Sequence, residues 1–296
     1  MSNSAPLDAV STDCAGLTDV GRVRRQNEDS ILVREDLGLF VVADGMGGHQ
    51  AGDLASQITV AQLAKFFEQS SAGHLPVPVP AAYREFDPGA QRLLVAILHA
   101  NRQVRAAAKA AKGRDGMGST VVAVHVCPDG MVHIAHVGDS RVYRISGGEI
   151  EQVTQDHSFF NQVRWKSPGL EPELLAALPK NVITKALGMQ DEAEPEVRTE
   201  MSLHGDTYLL CSDGLSGMIS NEEILQTVLT TDSIPAACQS LIDQANGAGG
   251  KDNVSVVIVR VEHPLQIVAD GPPNCPRCGV ALLPGTAFCV ECGMKL

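Results

Sequence analysis

The chain has 296 residues, of which 44% are hydrophobic and 20% are charged. This composition is typical of a folded globular protein, and the length is enough to bury a core without disulfides. The net charge of −12 argues against a protein whose main partner is nucleic acid. No apolar run approaches the length of a membrane span, and the first ten residues lack a secretory signal. We therefore expect a cytoplasmic protein with no membrane partner.

The first part of the chain predicts a hairpin followed by two long helices. Apolar runs at 31–33 and 39–42 flank a turn-like stretch, which is typical of paired strands. Helical spacing follows over 51–67 and again over 90–112. The proline-containing segment 70–88 between them has no period and predicts a surface loop.

The remainder predicts closely spaced strands and then further helices. Three apolar runs separated by short glycine-containing turns indicate an antiparallel meander. Ser220 followed by Glu223 is a capping box that opens a helix. The predicted strands are 121–126, 131–137, 141–145, 207–211 and 253–261; the predicted helices run from 220 to about 229 and over 233–245.

Strands and helices thus come in runs, which favours a layered α+β domain over a doubly wound parallel sheet. We predict this domain over residues 1–261. A linker with three prolines follows at 262–274, and a short cysteine-rich module occupies 275–296.

Five aspartates stand at the ends of predicted core strands: Asp29, Asp44, Asp139, Asp213 and Asp252. A buried, uncompensated carboxylate costs several kcal/mol, so a cluster of them needs cations or paired charges. Oxygen ligands without His or Cys favour hard divalent cations. For any single aspartate, however, an ordinary Asp-Gly turn is the commoner explanation, and Asp129-Gly130 is interpreted as such a turn.

An ordered set of motifs resembles the metal-dependent (type 2C) protein serine/threonine phosphatases, in the form found in bacteria. It begins with Thr18-Asp19-Val20-Gly21 and Arg24, Asn27, Glu28, Asp29 and Ser30. The later members are Asp44-Gly45-Met46-Gly47-Gly48-His49, Gly116-Met117-Gly118-Ser119-Thr120, Gly138-Asp139-Ser140-Arg141, Asp156-His157-Ser158, Thr184-Lys185-Ala186-Leu187-Gly188, Ser212-Asp213-Gly214-Leu215 and Lys251-Asp252-Asn253. One such motif is weak, but the ordered set is specific.

The resemblance implies a four-layer α/β/β/α sandwich of two antiparallel sheets, with a binuclear Mn²⁺ or Mg²⁺ site at one end. Four aspartates would ligate the two metals, namely Asp29, Asp44, Asp213 and Asp252. Gly45 would contribute its carbonyl oxygen, and Asp139, with Asp213, would bind a third, weaker metal. Arg24 would bind the substrate phosphate, and Glu28 would hold a water bound to the metals.

The chemistry of these residue types agrees with that implication. Two metal ions can share a water, lower its pKa and direct it at phosphorus. Arginine offers a planar fork of donors that matches phosphate oxygens better than lysine. Many eukaryotic relatives carry a histidine directly after the Asp-Gly of the metal loop, but Met46 stands there in this chain. His49 is then a candidate general acid, with a structural role as the alternative.

Four cysteines at the end of the chain form two Cys-x-x-Cys-Gly knuckles, with Cys275 and Cys278 in the first and Cys289 and Cys292 in the second. Four thiolates predict a closed tetrahedral zinc site that resembles a zinc ribbon, and disulfides or a redox pair are the alternatives. A fully occupied site predicts a structural or partner-binding role. Few cations lie in this segment, which argues against nucleic-acid binding.

These observations predict a phosphatase that hydrolyses phosphoserine and phosphothreonine in phosphorylated proteins, and the resemblance adds a Ser/Thr protein kinase as a candidate partner. The alternative from another class is a catalytically weak phosphoprotein-binding module that docks through the zinc ribbon. A small-molecule phosphatase is a third reading. Trp165, the only tryptophan, is expected to pack on the body of the domain, with substrate contact as the alternative.

Overall fold

The structure is a computed structural model and describes residues 9–47, 50–110, 116–179 and 182–264. In the remainder it describes residues 275, 277, 278, 280, 291, 292, 294 and 295. Contacts divide the chain into one compact unit that ends at His263 and a second that starts at Pro264. The predicted linker and most of the cysteine-rich module lie outside the described residues, so their bounds stay a prediction. Within the described residues, no helix is both long and apolar enough to cross a bilayer.

Two antiparallel sheets make up the first unit. The eleven strands are β1 (Ser11–Asp19), β2 (Asp29–Arg34), β3 (Leu39–Met46), β4 (Gly118–Ser119), β5 (Val121–Val126), β6 (Met131–Val137), β7 (Arg141–Ser146), β8 (Glu149–Gln152), β9 (Glu196–Met201), β10 (Thr207–Cys211) and β11 (Val254–Glu262). One sheet has the order β1-β11-β10-β7-β8, and the other has the order β2-β3-β5-β6-β9 with β4 paired to β3.

Seven helices are described: α1 (Gln50–Glu68), α2 (Pro88–Ala110), α3 (Phe159–Lys166), α4 (Pro172–Ala176), α5 (Asp213–Ser216), α6 (Asn221–Thr230) and α7 (Ile234–Gly247). The predicted capping box is confirmed, since the Ser220 hydroxyl and the Glu223 carboxylate each bond the other residue's backbone N–H. Ser233 caps α7 through its hydroxyl alone, which accepts from the N–H of Ala236.

Three apolar clusters explain why the core strands are apolar on both faces. Phe40 and Val42 of β3 join a cluster shared with β10 and β11 of the opposite sheet. Leu39 and Val41, which point the other way, pack with residues of α1 and α2. A third cluster lies between β10, β11 and the helices α5–α7. Helices therefore cover the outer face of each sheet, and the α+β prediction of two antiparallel sheets with helices is confirmed.

The predicted three-stranded meander is wrong in its last strand. β5 and β6 pair as expected, but β7 pairs with β10 and β8 in the other sheet. The chain changes sheets at Gly138, whose φ of 113° and close approach to Thr120 both favour glycine. Spacing alone shows that a turn separates two strands and leaves open which sheet the second strand joins.

Truncation of Leu210 should destabilise the fold because this side chain is fully buried between the two sheets. We expect Leu210→Ala to lower the free energy of unfolding by about 2–5 kcal/mol through lost burial and the cavity left behind. Urea unfolding monitored by circular dichroism measures it. Leu229→Ala is the matched control, since Leu229 is 51% exposed and should change stability by less than about 0.5 kcal/mol. Equal losses in the two variants would contradict the described core.

Candidate active site

Five aspartates meet where the two sheets end. Asp29 opens β2 and lies directly opposite Asp44 of β3, so their side chains share one face. Asp139 follows β6, Asp213 follows β10 in the first turn of α5, and Asp252 precedes β11. The Asp44 carboxyl interacts electrostatically with all four of the others. The structure therefore brings together the aspartates that were singled out in the sequence.

Burial and mutual repulsion make this cluster costly when it carries only negative charge. Burial raises the pKa of Asp29 to about 7 and that of Asp139 to about 7. For Asp44, burial first and then the neighbouring carboxylates raise the pKa well above its usual range. The pKa of Asp213 is also raised, by burial and then by the charge of Asp252. Bound cations would remove both penalties.

The oxygen atoms of the cluster fit divalent cations. Within the described residues, Asp29 Oδ1 and Asp139 Oδ1 are buried and have no hydrogen-bond partner. Buried polar atoms are nearly always satisfied, so an orphaned carboxylate oxygen needs an explanation. Carboxylate oxygens are the ligands that Mg²⁺ and Mn²⁺ prefer. The donor set therefore suits the ions expected from the sequence.

A chain of hydrogen bonds orients the Asp29 carboxylate. Its Oδ2 accepts from the hydroxyl of Ser212 at 2.8 Å and from that of Ser255 at 2.7 Å. Because the Ser255 hydroxyl donates to Asp29, the bond of 2.7 Å between Thr18 and Ser255 must be donated by Thr18. Asn27 Nδ2 donates in turn to Thr18 at 2.8 Å. Residues of one sheet thus hold the Oδ2 atom of an aspartate in the other sheet.

Thr120 joins the segments that carry Asp44 and Asp139. Its hydroxyl accepts from the Asp44 N–H at 3.0 Å and shares a hydrogen bond of 2.7 Å with the hydroxyl of Ser140. Its own N–H donates to the Asp44 carbonyl at 2.8 Å. The roles of these buried hydroxyls were not predicted from the sequence. The available signal was a small polar residue inside an apolar strand, as at Ser255 in β11.

The backbone around Gly45 is too crowded for any other residue. A Cβ at Gly45 would lie 2.1 Å from the carbonyl oxygen of Gly52 and 2.6 Å from that of Glu28. The Gly45 N–H donates to the Glu28 carbonyl at 3.1 Å. The Glu28 carboxylate lies against Gly52, in the first turn of α1, where the helix dipole favours negative charge.

Asn253 holds the loop that carries Arg24. Its Oδ1 accepts from the Glu28 N–H at 2.9 Å, and its Nδ2 donates to the carbonyls of Val20 and Gln26, each at 2.9 Å. Arg24 Nη2 donates to Asp252 Oδ2 at 2.7 Å. This loop and three of the aspartates line a cavity of about 660 Å³, which makes Arg24 available to a bound anion.

The Asp156-His157-Ser158 motif supports the turn that carries Asp139. His157 Nδ1 accepts from the Gly138 N–H at 3.1 Å, so its Nε2 carries the proton and donates to Glu196 Oε1 at 2.9 Å. Burial lowers the pKa of His157, in agreement with a neutral ring. Arg141 forms two bonds to the Asp156 carboxylate, of 3.0 and 2.8 Å.

His136, His157 and Glu196 have ligand atoms within 4.8 Å of one another, but their bonding argues against a metal site. His157 Nδ1 is already an acceptor, so Nε2 could bind a cation only as an imidazolate. His136 Nε2 donates to the Gln155 carbonyl at 2.8 Å, and the two rings stack with centroids 4.6 Å apart. The group is a hydrogen-bonded support for the Asp139 turn.

Two other expectations concern residues near the metal loop and in α3. His49 lies outside the described residues, so its role as a general acid stays a prediction. Met46, which follows the Asp-Gly pair of the metal loop, is half-buried and lines the cavity. The packing expected for Trp165 is wrong, since its side chain is 80% exposed on α3.

In the second unit, three of the four predicted zinc ligands are described. The sulfur atoms of Cys275, Cys278 and Cys292 lie within 4.8 Å of one another, and those of Cys275 and Cys292 are 3.5 Å apart. Burial opposes ionisation of Cys275, but hydrogen bonds from the Arg277 and Cys278 backbone and from the two neighbouring thiols lower its pKa to about 6. Cys289 lies outside the described residues. The three thiols suggest a metal site without identifying zinc.

Comparison with known proteins agrees with the fold. The protein phosphatase 2C family matches residues 22–244. The protein phosphatase PhpP of Streptococcus pneumoniae is 36% identical over 253 residues, which cover 83% of this chain and 96% of PhpP. The unit of two antiparallel sheets and helices described above is thus a protein phosphatase domain. The chain belongs to the protein phosphatase 2C family and is a serine/threonine protein phosphatase of that type.

Solved structures give the same result. The Mycobacterium tuberculosis serine/threonine phosphatase PstP/Ppp superimposes with a TM-score of 0.73 at 34% identity, covering 86% of this chain and 100% of that one. The PstP catalytic domain in complex with two manganese ions gives a TM-score of 0.72 at 33% identity, covering 86% and 99%. Manganese is among the ions that carboxylate oxygens bind, so the metal in that relative agrees with the donor set described here.

The metal-free protein should lose stability as pH rises from about 4 to about 7. Asp29 and Asp139 have a raised pKa of about 7 in the folded state against an ordinary value of 3.8, so the folded state binds more protons in this interval. Each group then removes about 1 kcal/mol per pH unit. Urea unfolding in EDTA across this range measures the slope.

Asp139→Asn should make the loss of stability with rising pH less steep. Adding Mn²⁺ to the unmodified chain should reduce this slope more than the substitution does. Asp232→Asn, at an exposed residue outside the cluster, is the control and should leave the slope unchanged. A metal-free protein whose stability rises over this pH interval would contradict the electrostatics described for the cluster.

Proposed function

We propose that the chain hydrolyses phosphoserine and phosphothreonine in phosphorylated proteins, with two Mn²⁺ or Mg²⁺ ions held by Asp29, Asp44, Asp213 and Asp252. The observation that carries this proposal is the carboxylate cluster, in which Asp29 and Asp139 are buried and, among the described residues, each keeps one oxygen without a hydrogen-bond partner. The Gly45 carbonyl would complete the ligand set. Asp139, with its own orphaned oxygen, would join Asp213 in holding a third ion.

The ions would supply positive charge for the phosphoryl oxygens and a water with a pKa lowered toward neutrality. The chain's own contribution is a rigid carboxylate frame. Ser212 and Ser255 fix the rotation of the Asp29 carboxylate, and Thr120 fixes the backbone of Asp44. Such fixed ligands limit the reorganisation needed during reaction.

Arg24 would bind the phosphate of the substrate. One of its N–H donors is occupied by Asp252, which holds the side chain toward the cavity. A guanidinium has five donors, so the remaining ones can pair with two phosphate oxygens. Glu28, whose carboxylate lies against the first turn of α1, would accept a hydrogen bond from the attacking water and orient it. His49 remains the candidate for protonation of the departing hydroxyl.

The substrates and surroundings of the enzyme follow from this activity. Phosphorylated proteins are its partners, and a Ser/Thr protein kinase that produces them is a further candidate partner. The charge and the absence of an apolar span among the described helices support a cytoplasmic enzyme that acts without nucleic acid. Phosphopeptide and sugar-phosphate turnover compared side by side separate this proposal from a small-molecule phosphatase.

Asp213→Asn should remove most turnover without unfolding the protein, because the site would lose a charged ligand to the ions. We expect the rate on a phosphothreonine peptide with Mn²⁺ to fall at least about 100-fold. The unmodified chain should lose its activity in EDTA and regain it with Mn²⁺.

The matched control is Asp232→Asn, which makes the same change at an exposed aspartate with no bond to the site. Circular dichroism checks that both variants fold. Unmodified rates in Asp213→Asn would exclude the binuclear site. If the folded, unmodified chain shows no turnover with Mn²⁺, a phosphoprotein-binding module becomes the better explanation.

We also propose that Cys275, Cys278, Cys289 and Cys292 bind one structural Zn²⁺. The close sulfur atoms of the three described cysteines and the lowered pKa of Cys275 support thiolate ligands. A four-thiolate site is closed, so it would stabilise the module or present it to a partner, with no catalytic role.

Cys278→Ser should release zinc while phosphatase activity is largely kept. The metal content, measured by inductively coupled plasma mass spectrometry, should fall from about one zinc per chain to near zero. Cys14→Ser, in β1 and outside the two knuckles, should keep its zinc. Unchanged zinc content in Cys278→Ser would contradict the assignment, and parallel loss of activity would show that the module supports the active site.

A further inference from the structure

The loop over residues 20–28 carries three arginines, and each has a different environment. The Arg22 N–H donates to the Gly250 carbonyl at 2.7 Å, and its side chain runs along Gly250. Arg24 pairs with Asp252. Arg25 is exposed and lines the catalytic cavity, and among the residues that the structure describes it pairs with no carboxylate. Its charge is therefore available to whatever enters the cavity.

The loop holds Arg25 in place through its backbone. Asn253 binds the carbonyl of Gln26, directly after Arg25, and the Glu28 N–H. At the other end, the N–H groups of Arg22 and Val23 both donate to Gly250. A cation on a tethered loop loses less conformational freedom on binding than one on a mobile loop.

An apolar surface lies beside this cation. Val23 lines the same cavity and is 65% exposed, and the half-buried Ile183 and Met46 line it too. The cavity therefore offers the phosphate site, an unpaired guanidinium and apolar side chains side by side. A phosphate group alone uses only the first of these.

We propose that Arg25 selects phosphopeptides with an acidic residue one or two positions from the phosphorylated residue, while Val23 contacts an apolar side chain. The inference rests on the phosphoprotein phosphatase activity proposed above. Arg24 and Arg25 are consecutive residues that line the same cavity, and an extended peptide advances only about 3.4 Å per residue, so a peptide bound by Arg24 through its phosphate places the next positions within reach of Arg25. A phosphate on Arg24 thus brings a carboxylate one or two residues away to Arg25.

The charge of the whole chain makes this local cation more significant. At a net charge of −12, the protein repels acidic peptides at long range. A preference for them requires a short-range cation near the phosphate, and this interaction is screened by salt. The preference should therefore weaken as ionic strength rises, whereas one based on apolar contact alone should not.

The test compares two phosphothreonine peptides that differ only by Glu or Lys at the positions next to the phosphorylated residue. We expect kcat/KM at low salt to be about fivefold higher for the acidic peptide than for the basic one, which is the size of effect that an exposed charge contact produces. The difference should arise in KM. Arg25→Lys should keep a preference, and Arg25→Glu should abolish or invert it. A ratio within one variant cancels any general loss of activity.

Arg102→Glu is the matched control, since Arg102 is an exposed arginine on α2 that does not line this cavity. It makes the same change in net charge and should leave the ratio as in the unmodified chain. A ratio near one in the unmodified chain, or an equal shift in both variants, would overturn the proposal. Absence of turnover on both peptides with Mn²⁺ would instead overturn the phosphatase assignment on which it rests.

Discussion

The repulsion among five aspartates is the constraint on which the rest of this site depends. Burial of one carboxylate already disfavours its charge. Here Asp29 and Asp44 lie directly opposite each other on paired strands, so the two charges are close together. A fold optimised only for stability would place apolar or paired residues there. Here, hydrogen bonds and the packed apolar core hold these like charges together, which is what a site for divalent cations requires.

Hydroxyl side chains convert that constraint into defined ligand geometry. Ser212 and Ser255 come from neighbouring elements of one sheet, whereas Asp29, which they bind, belongs to the other. Thr120 links Asp44 to Ser140, beside Asp139. Each contact crosses between segments that are distant in sequence. The relative position of the two sheets therefore determines where the carboxylate oxygens lie, and the apolar cluster between the sheets fixes that position.

Much of this arrangement could be predicted from the sequence, for reasons that are local. Helical spacing identified α1 and α2, and the Ser220 and Glu223 pair marked the start of α6. Apolar runs that end in aspartate located the strand ends and hence the cluster. The roles of these residues came from a family resemblance, since an aspartate after a strand has an ordinary turn as its commoner explanation.

What could not be predicted depends on contacts between distant segments. β7 follows β6 after a short turn yet joins the other sheet, because its partner β10 lies about sixty residues further along the chain. β1 mixes polar and small residues and was not predicted, since its stability comes from pairing with β11. Ser255 has no local signal beyond being polar in an apolar strand. The large ring of Trp165 favours packing, but its side chain on α3 is exposed to solvent.

The pairing of the first strand with the last has a consequence for synthesis of the chain. β11 lies between β1 and β10, and Asp252 and Ser255 belong to this last segment of the sheet. More than two hundred residues are translated between β1 and its partner β11. A ribosome-bound fragment that lacks β11 has neither the complete sheet nor the complete carboxylate cluster. A chain interrupted before this strand would lack Asp252 and leave an open strand edge, which is the kind of surface that chaperones and proteases act on.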